Sequence, residues 1–328
     1  MKKKHLILFF IAGKVFAQET EKPFIKEHEK HKHKLDFVNA VVFQSIKDYS
    51  TVYGTSHLFF TLNLDKNNLI FVNTGVSFGN GLNKKLERLG YSISSTADDL
   101  EDDLRDINGT GRKYLLEAFY QFNNDRVNFT AGLIDSTAFI DSNKYANDEH
   151  MQFLNPSLVN NPIAVLPSYN FGANIKLKLA DFLETDILYM ENKPDSGNVG
   201  IVEFDFSFNN LNIRPYYYYL FGTYERKGFG FSGDYTYKNL GFFLRLGKNS
   251  NEYKNFYSYG TNLNLKKFGN VGVGYSYLYN NPDNRSIKIL EIYHKYKLSK
   301  YISFTTDLQY LKEVKERVVY GFRFYFEY

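Results

Sequence analysis

The run Val318-Val319-Tyr320-Gly321-Phe322-Arg323-Phe324-Tyr325-Phe326-Glu327-Tyr328 decides the fold. Val318, Tyr320, Phe322, Phe324, Phe326 and Tyr328 fall on one face, which is apolar and largely aromatic, while Arg323 falls on the other. Strict alternation of this kind places the two sets on opposite sides of a β-strand. In water such a strand would leave a sticky edge. Against lipid it is an ordinary transmembrane strand ending in an aromatic girdle.

The same period of two recurs upstream. Val127, Phe129, Ala131 and Leu133 alternate with Arg126, Asn128, Thr130 and Gly132. Leu240, Phe242, Leu244 and Leu246 alternate with Gly241, Phe243, Arg245 and Gly247, and Val271, Val273, Tyr275 and Tyr277 with Gly272, Gly274 and Ser276. In the run Tyr216 to Tyr219, Tyr217 and Tyr219 are expected to face lipid, and Tyr216 and Tyr218 the lumen. Sixteen strands are predicted, near 35–46, 54–65, 68–78, 112–122, 126–134, 170–180, 183–191, 198–208, 211–221, 228–237, 239–247, 256–266, 270–278, 286–297, 301–311 and 317–328. Their connections alternate between short Asn-, Asp- and Lys-bearing turns and longer links rich in Gly, Pro and Asn. Bacterial outer-membrane barrels have an even strand number, short periplasmic turns and long external loops. The expected fold is therefore an all-β transmembrane antiparallel barrel of sixteen strands, 35–328, with both ends in the periplasm. The expected location is the outer membrane of a Gram-negative-type bacterium.

Composition agrees with this reading. Aromatic residues make up 18% of the chain, with 28 Tyr, 31 Phe and no Trp, and the mean hydropathy is negative. A barrel has this profile because only every second strand residue meets lipid. Forty basic against 36 acidic residues give no reason to propose nucleic acid as a partner. The absence of Cys excludes disulfides, Cys-based zinc sites and a thiol nucleophile.

Residues 1–17 read as a signal peptide: Lys2, Lys3 and Lys4 precede the short apolar stretch Leu6 to Ala12, and Val15 and Ala17 suit a cut before Gln18. Residues 18–34 are nearly all charged or polar and are expected to form a disordered periplasmic tail, whose His28, His31 and His33 imply no fixed metal geometry. No metal or other cofactor is called for.

Two connections break the rhythm, 79–111 and 135–169, the second and third on the external side. Sixteen strands enclose a lumen that something must narrow, and long loops in compact barrels are usually functional. In the first, Thr96 and Asp99 have capping-box spacing, Leu100, Leu104 and Ile107 have helical spacing, and Asn108-Gly109 ends the run. The acidic side, Asp98, Asp99, Glu101, Asp102, Asp103 and Asp106, lacks the central Gly and terminal Glu of a calcium loop and reads as a solvated helix face. The second carries Phe139, Ile140, Met151, Phe153, Leu154, Leu158, Val159, Ile163, Val165 and Leu166, which are expected to fold against the inner wall.

The text Gly132-Leu133-Ile134-Asp135, Phe139, Asp141, Asn143, Tyr145-Ala146-Asn147, Gln152-Phe153, Asn161-Pro162, Pro167 and Gly172 resembles the OprB-like family of carbohydrate-selective porins. Thr96-Ala97-Asp98-Asp99 and Leu116-Glu117-Ala118-Phe119-Tyr120-Gln121 are similar to that family too. The resemblance spans about Thr96 to Gly172. It implies a sixteen-stranded barrel whose second and third external loops fold inward and constrict a sugar channel. The terminal strand likewise resembles the signal that such barrels present to the barrel assembly machinery.

Passive diffusion of small hydrophilic solutes, sugars above all, is the expected function. Candidate pore-lining bases are Arg126, Arg214, Arg245, Arg323, Lys176 and Lys178; candidate acids are Glu117, Asp186, Glu203, Asp205, Asp234 and Asp307. Mixed signs suit neutral polyols, whose hydroxyls both donate and accept. Tyr216, Tyr218 and Phe243 could stack on a sugar ring or pack against an inward loop. Asp135, Asp141, Asn143, Asn147 and Glu149 are expected to border the constriction, facing lumen residues such as Arg126 and Arg245. A general or ion-selective pore remains open, as does a barrel enzyme or adhesin. No Gly-x-Ser-x-Gly is present, and His57, His150 and His294 sit in no nucleophile motif.

Overall fold

The computed structural model describes residues 32–108, 111–192, 197–222, 225–250, 253–279 and 285–328. The signal peptide and most of the tail, residues 1–31, lie outside the described residues. Sixteen strands follow: β1 (His33–Ile46), β2 (Tyr49–Asn63), β3 (Asn68–Phe78), β4 (Leu115–Asn123), β5 (Val127–Ile134), β6 (Asn170–Ala180), β7 (Leu183–Glu191), β8 (Asn198–Phe208), β9 (Leu211–Phe221), β10 (Arg226–Tyr237), β11 (Leu240–Asn249), β12 (Asn255–Asn264), β13 (Asn270–Tyr279), β14 (Ile287–Lys297), β15 (Ile302–Lys312) and β16 (Glu316–Glu327). Each pairs antiparallel with its sequence neighbours, and β1 pairs with β16, from Val38 opposite Glu327 to Ile46 opposite Val319. The sheet is a closed barrel with no free edge, so every strand's backbone groups are satisfied within the wall.

The alternation works as the sequence implies. On β16, Tyr320, Phe322 and Phe324 are exposed on the outer face, while Val319 and Arg323 are buried inside. Phe242, Leu244 and Leu246 of β11 are exposed outward, and Tyr257, Tyr259, Tyr275, Tyr277 and Tyr279 of β12 and β13 form a ladder of ring contacts. Soluble proteins rarely expose so continuous an apolar band, because it would cost free energy against water. The outer face is built for an apolar solvent.

Several boundaries differ from the sequence expectation, most by one to three residues. β2 begins at Tyr49 rather than 54, so Lys47, at φ 46°, and Asp48 alone turn the chain. The polar Ser50 and Thr51 hide that part of the strand from a hydrophobic pattern. β1 takes in His33 and Lys34, the last two residues of the expected tail. The loop helix α2 (Leu100–Asn108) starts later than its predicted cap. Thr96 does not cap it: its hydroxyl accepts from the Asp98 N–H at 3.2 Å and meets the Tyr53 hydroxyl at 2.6 Å. The same loop also holds the short helix α1 (Asn83–Arg88), and the next loop holds α3 (Pro156–Val159).

The core lies in the lumen. The loop 79–114 packs Leu82, Leu86, Tyr91 and Ile93 against Ile46, Phe256, Leu278, Ile287, Ile289, Leu311 and Val319 of the wall. Leu100 and Ile107 of α2 pack with Leu116, while Glu101 and Asp102 pair with Lys84 and Arg105. The loop 135–169 buries Phe153, Leu158 and Val159 with Phe243 and Tyr293. Full burial stabilises each such side chain by about 1.5–3 kcal/mol.

Unheated protein is expected to run faster on a denaturing gel than boiled protein, because a barrel without edges resists unfolding by detergent. Equal mobility of the two samples would contradict closure of β1 on β16.

Candidate functional site

The loop 135–169 leaves the wall at Asp135, whose carboxylate accepts from the Thr137 N–H at 2.9 Å and so caps a single helical turn, Ser136–Ala138. The base of the loop is closed by Ser136 donating its N–H to the Pro167 carbonyl at 3.0 Å. The chain then crosses the lumen to β9–β11. There Asp141, in left-handed backbone at φ 63°, meets Arg245 at 3.0 Å, and both side chains are 0% exposed. Arg245 also donates to the Leu158, Asp141 and Asn147 oxygens at 2.8, 3.0 and 3.0 Å. Glu203 accepts the Asp141 N–H at 2.7 Å, and Asp141 accepts the Asn161 N–H at 2.8 Å. A buried charge needs such partners to offset its desolvation, and the side chains of this pair take four besides each other: the Leu158, Asp141 and Asn147 oxygens and the Asn161 N–H.

The same loop next reaches β12–β16. Glu291 accepts the Leu154 and Asn155 N–H groups at 2.6 and 2.9 Å. Asn155 caps α3 and donates to Gln309 at 3.2 Å, and the Ser157 and Ser276 hydroxyls meet at 2.5 Å. Arg323 donates to the Gln152 carbonyl at 2.8 Å and to the Glu149 carbonyl. Tyr216 accepts from Asn161 at 2.9 Å, and Tyr218 donates to the Ile163 carbonyl at 3.0 Å. Phe243 lies 5.4 Å from Phe153, ring to ring. The three inward aromatics therefore hold the loop and are not free platforms for a sugar.

Glycines on the inner wall make room for it. A Cβ on Gly241 would sit 2.3 Å from the Tyr145 ring, and one on Gly274 would sit 2.9 Å from Leu158 and Phe153.

Several wall charges are paired locally, and others are held by neutral hydrogen-bond partners. Arg214 pairs with Asp205 at 3.1 Å and Asp234 at 2.7 Å; Lys176 pairs with Asp186 at 2.9 Å and Glu184 at 3.4 Å. Asp307 accepts from Gln309 at 3.0 Å, and Glu117 from Asn73 at 2.9 Å. Two expected lumen bases belong elsewhere. Arg126 is exposed in the turn between β4 and β5, where its N–H is held by Asn124, so it does not face the loop. Lys178 pairs with exposed Asp181 at 2.9 Å beside the β6–β7 turn. The expected border of an open eyelet also changes. Asp141 and Asn143 are buried, Asn143 donating to Ser232 and the Gly233 carbonyl at 3.1 and 3.0 Å, whereas Asp135, Asn147 and Glu149 keep partial access to solvent.

Sequence reasoning missed the group that joins the two loops. His150 lies 3.4 Å from Asp98, which accepts from Thr55 at 2.7 Å. The His57 ring sits 5.8 Å from His150, and His57 meets Asn73 at 3.2 Å. Ala97 donates its N–H to the Leu154 carbonyl at 2.6 Å, and Gln44 and Gln309 both donate to the Ser95 carbonyl. Burial alone would lower the His150 pKa, but the hydrogen bond and charge of Asp98, with Glu149 and Asp148, push it up to about 9. Burial works against Asp98 too, yet His150 and Thr55 hold it below the usual carboxylate range. Asp99 and Asp103 go the other way: desolvation and neighbouring carboxylates raise them to about 6 and about 9. Glu149 is pushed up to about 7, chiefly by desolvation. Asp99 is solvent-exposed nonetheless, as a side chain bordering water enclosed by protein would be. Among the described residues no three His, Asp or Glu side chains are grouped to hold a metal ion.

The chain is 45% identical over 309 residues to an uncharacterized protein of Aquifex aeolicus, covering 93% of this chain and 98% of the relative, and it belongs to the same family as that protein. No protein-family model matches it. Among solved structures it is similar to the high-pH structure of Pseudomonas putida OprB, with a TM-score of 0.73 at 12% identity over 90% of this chain and 94% of that one. It is also similar to a loop-deletion mutant of OmpT, an outer membrane protein of Vibrio cholerae (TM-score 0.62, 11% identity, 91% and 100% covered). A mutant of Rh. blastica porin gives a TM-score of 0.61 at 10% identity, with 90% and 100% covered. At these identities the likeness is one of fold, and the fold is porin-like.

Two outcomes follow for the loop. Arg245→Met, which strands the Asp141 charge, should loosen the loop by about 3–5 kcal/mol, and Arg245→Met with Asp141→Leu should restore much of that. Protease nicking at Lys144 reads the change, and equal nicking of all three proteins would remove Arg245 from this role. The second concerns pH. The His150 contribution is complete below the ordinary histidine range and is lost as pH rises through about 9. Asp98 loses its share only as pH falls below the usual carboxylate range, and ionisation of the raised Asp99, Glu149 and Asp103 opposes docking on the alkaline side. Hydrogen exchange over 141–160, corrected for its intrinsic pH dependence, should therefore be less protected above pH 9 than at neutral pH, and His150→Gln should flatten that difference.

Proposed function

We propose that this chain is an outer-membrane diffusion channel for small hydrophilic solutes, with carbohydrates as the favoured class. The observation that carries the proposal is the combination of a closed sixteen-strand wall, apolar outside, with a polar lumen narrowed by two inward loops. Only a membrane gives the outer face a suitable solvent. A lumen of this width serves solutes of limited size once loops occupy it. Both termini then lie on the periplasmic side, the segment 1–17 acts as export signal and 18–31 as a periplasmic tail. The terminal strand, with Phe322, Phe324 and Phe326 outward, suits recognition by barrel assembly machinery.

Carbohydrate preference is supported by the family resemblance of 96–172 and by the fold likeness to OprB. The chemistry fits as well. Several wall charges are matched in pairs and others are hydrogen-bonded to amides and backbone, which leaves a surface of donors and acceptors suited to hydroxyl groups. Tyr169 retains partial exposure in its loop and can offer a ring face to a sugar, a role that Tyr145, Tyr216, Tyr218 and Phe243 cannot fill while they hold the loop.

Reconstituted in planar bilayers, the purified protein should conduct, and added mono- or disaccharides should block the current in a concentration-dependent way. Deletion of 141–160 should raise single-channel conductance and abolish that block while the barrel still assembles. A conducting channel insensitive to every sugar would leave a general diffusion pore. Silence of the assembled deletion variant would rule out the pore reading altogether.

A further inference from the structure

Lysines gather on the inner wall at the end of the barrel where both chain termini lie. Alternation turns Lys295 and Lys297 of β14 inward, while His294 and Tyr296 are exposed outward. Lys295 lies opposite Asn270 on one neighbouring strand and Thr305 on the other, and Lys297 lies opposite Ser303. With Lys266 and Lys300 from the two adjoining turns, they line a cavity of about 260 Å³ that also meets Met151 of the loop 135–169. Lys266, Lys295 and Lys297 form no ion pair with another described residue. Acids within reach are few. Glu327 is the one carboxylate in the lining among the described residues. Asp148 also acts on Lys295, but its carboxylate accepts the His150 and Met151 N–H groups at 2.8 Å each. Arg323, opposite Thr305 as Lys295 is, adds positive charge. Asp307 and Glu291 stand one and two inward positions further from this end, where they accept from Gln309 and from the Leu154 and Asn155 N–H groups.

Four ammonium groups around so small a space repel one another, and one lining carboxylate offsets only part of that repulsion. A dianion between them would offset the rest. We propose that this cavity binds a phosphate group, free or carried on a sugar, so that the channel takes phosphorylated carbohydrates. The proposal deepens the carbohydrate-channel reading given above and rests on it. Each lysine ammonium meets phosphate as a point charge with three rotatable donors, and the Ser303 and Tyr301 hydroxyls in the same lining add neutral donors. The cavity is slightly smaller than the roughly 300 Å³ at which sites for drug-sized molecules begin, so it has room for one phosphate and part of an attached ring. Lys295, Lys297 and Ser303 face inward, so the phosphate arrives from the lumen, and lipid headgroups outside the wall do not reach them.

Equilibrium dialysis of the detergent-solubilised barrel against inorganic phosphate and against glucose 6-phosphate reads the site itself; planar-bilayer recording with the same two solutes reads its place on the path. Both should bind at about 0.1 M KCl and more weakly at about 1 M, as the Debye length shrinks from about 10 Å to about 3 Å. Lys295→Gln with Lys297→Gln should weaken both by roughly tenfold, because two charge-assisted contacts are lost. Lys295→Arg with Lys297→Arg should keep most of the affinity. Lys266→Gln with Lys300→Gln, in exposed turns, should show the same kind of loss and replaces the first variant if that one does not assemble. Glucose 6-phosphate should block the current at lower concentration than glucose, and the glutamine variants should remove that advantage. A folded barrel that binds neither ligand overturns the proposal, as does binding that the glutamine variants leave unchanged. Binding of inorganic phosphate alone overturns the sugar phosphate as substrate. Binding by a barrel that never conducts supports the site and overturns the pore reading instead.

Discussion

Closing sixteen strands creates a tube too wide for its own side chains to fill, and the rest of this structure answers that constraint. Small barrels pack their interiors with inward residues; here the inner wall carries Gly241, Gly247, Gly260 and Gly274, which fill nothing. The missing volume is supplied by loops. The loop 135–169 brings in Phe153, Leu158 and Val159, and the loop 79–114 brings in Leu82, Leu86 and α2. Apolar burial alone would leave these loops free to slide, since it is non-directional. Buried polar anchors fix the register: Arg245 on Asp141, Glu291 on the N–H groups of Leu154 and Asn155, and Arg323 on two carbonyls.

Anchoring has a consequence for function. Arg214, Arg245, Arg323 and Glu291 are all largely buried, so the charges most deeply set in the wall are structural and are hidden from a passing solute. The joint between the two loops at Asp98 and His150 couples them, so that loosening one weakens the support of the other.

The outer face obeys a simpler rule. Its residues need only be apolar, with Tyr toward the rims, and their packing against one another is shallow. This is why the cross-strand Tyr ladder of β12 and β13 sits on the outside while the same strands are Gly- and Ser-rich within. One strand serves two solvents, and the alternation is the record of both.

That alternation is a local property, set by the backbone pleat, and it made much of the fold legible from the amino-acid sequence alone. Strand number, the positions of the two long loops, and the inward placement of Tyr216, Tyr218, Phe243, Arg214, Arg245 and Arg323 all follow from a period of two. The pattern fails where a strand leaves the apolar zone, as at Tyr49–Tyr53, and at turns, as at Arg126, because the pleat no longer separates two environments there. Pairing lies beyond it altogether. Asp141 and Arg245 are 104 residues apart, and Asp98 and His150 are joined only because two loops meet inside the barrel. Periodicity assigns a residue to a face; which partner it finds there depends on how distant segments fill a shared volume, and that is decided by the tertiary structure.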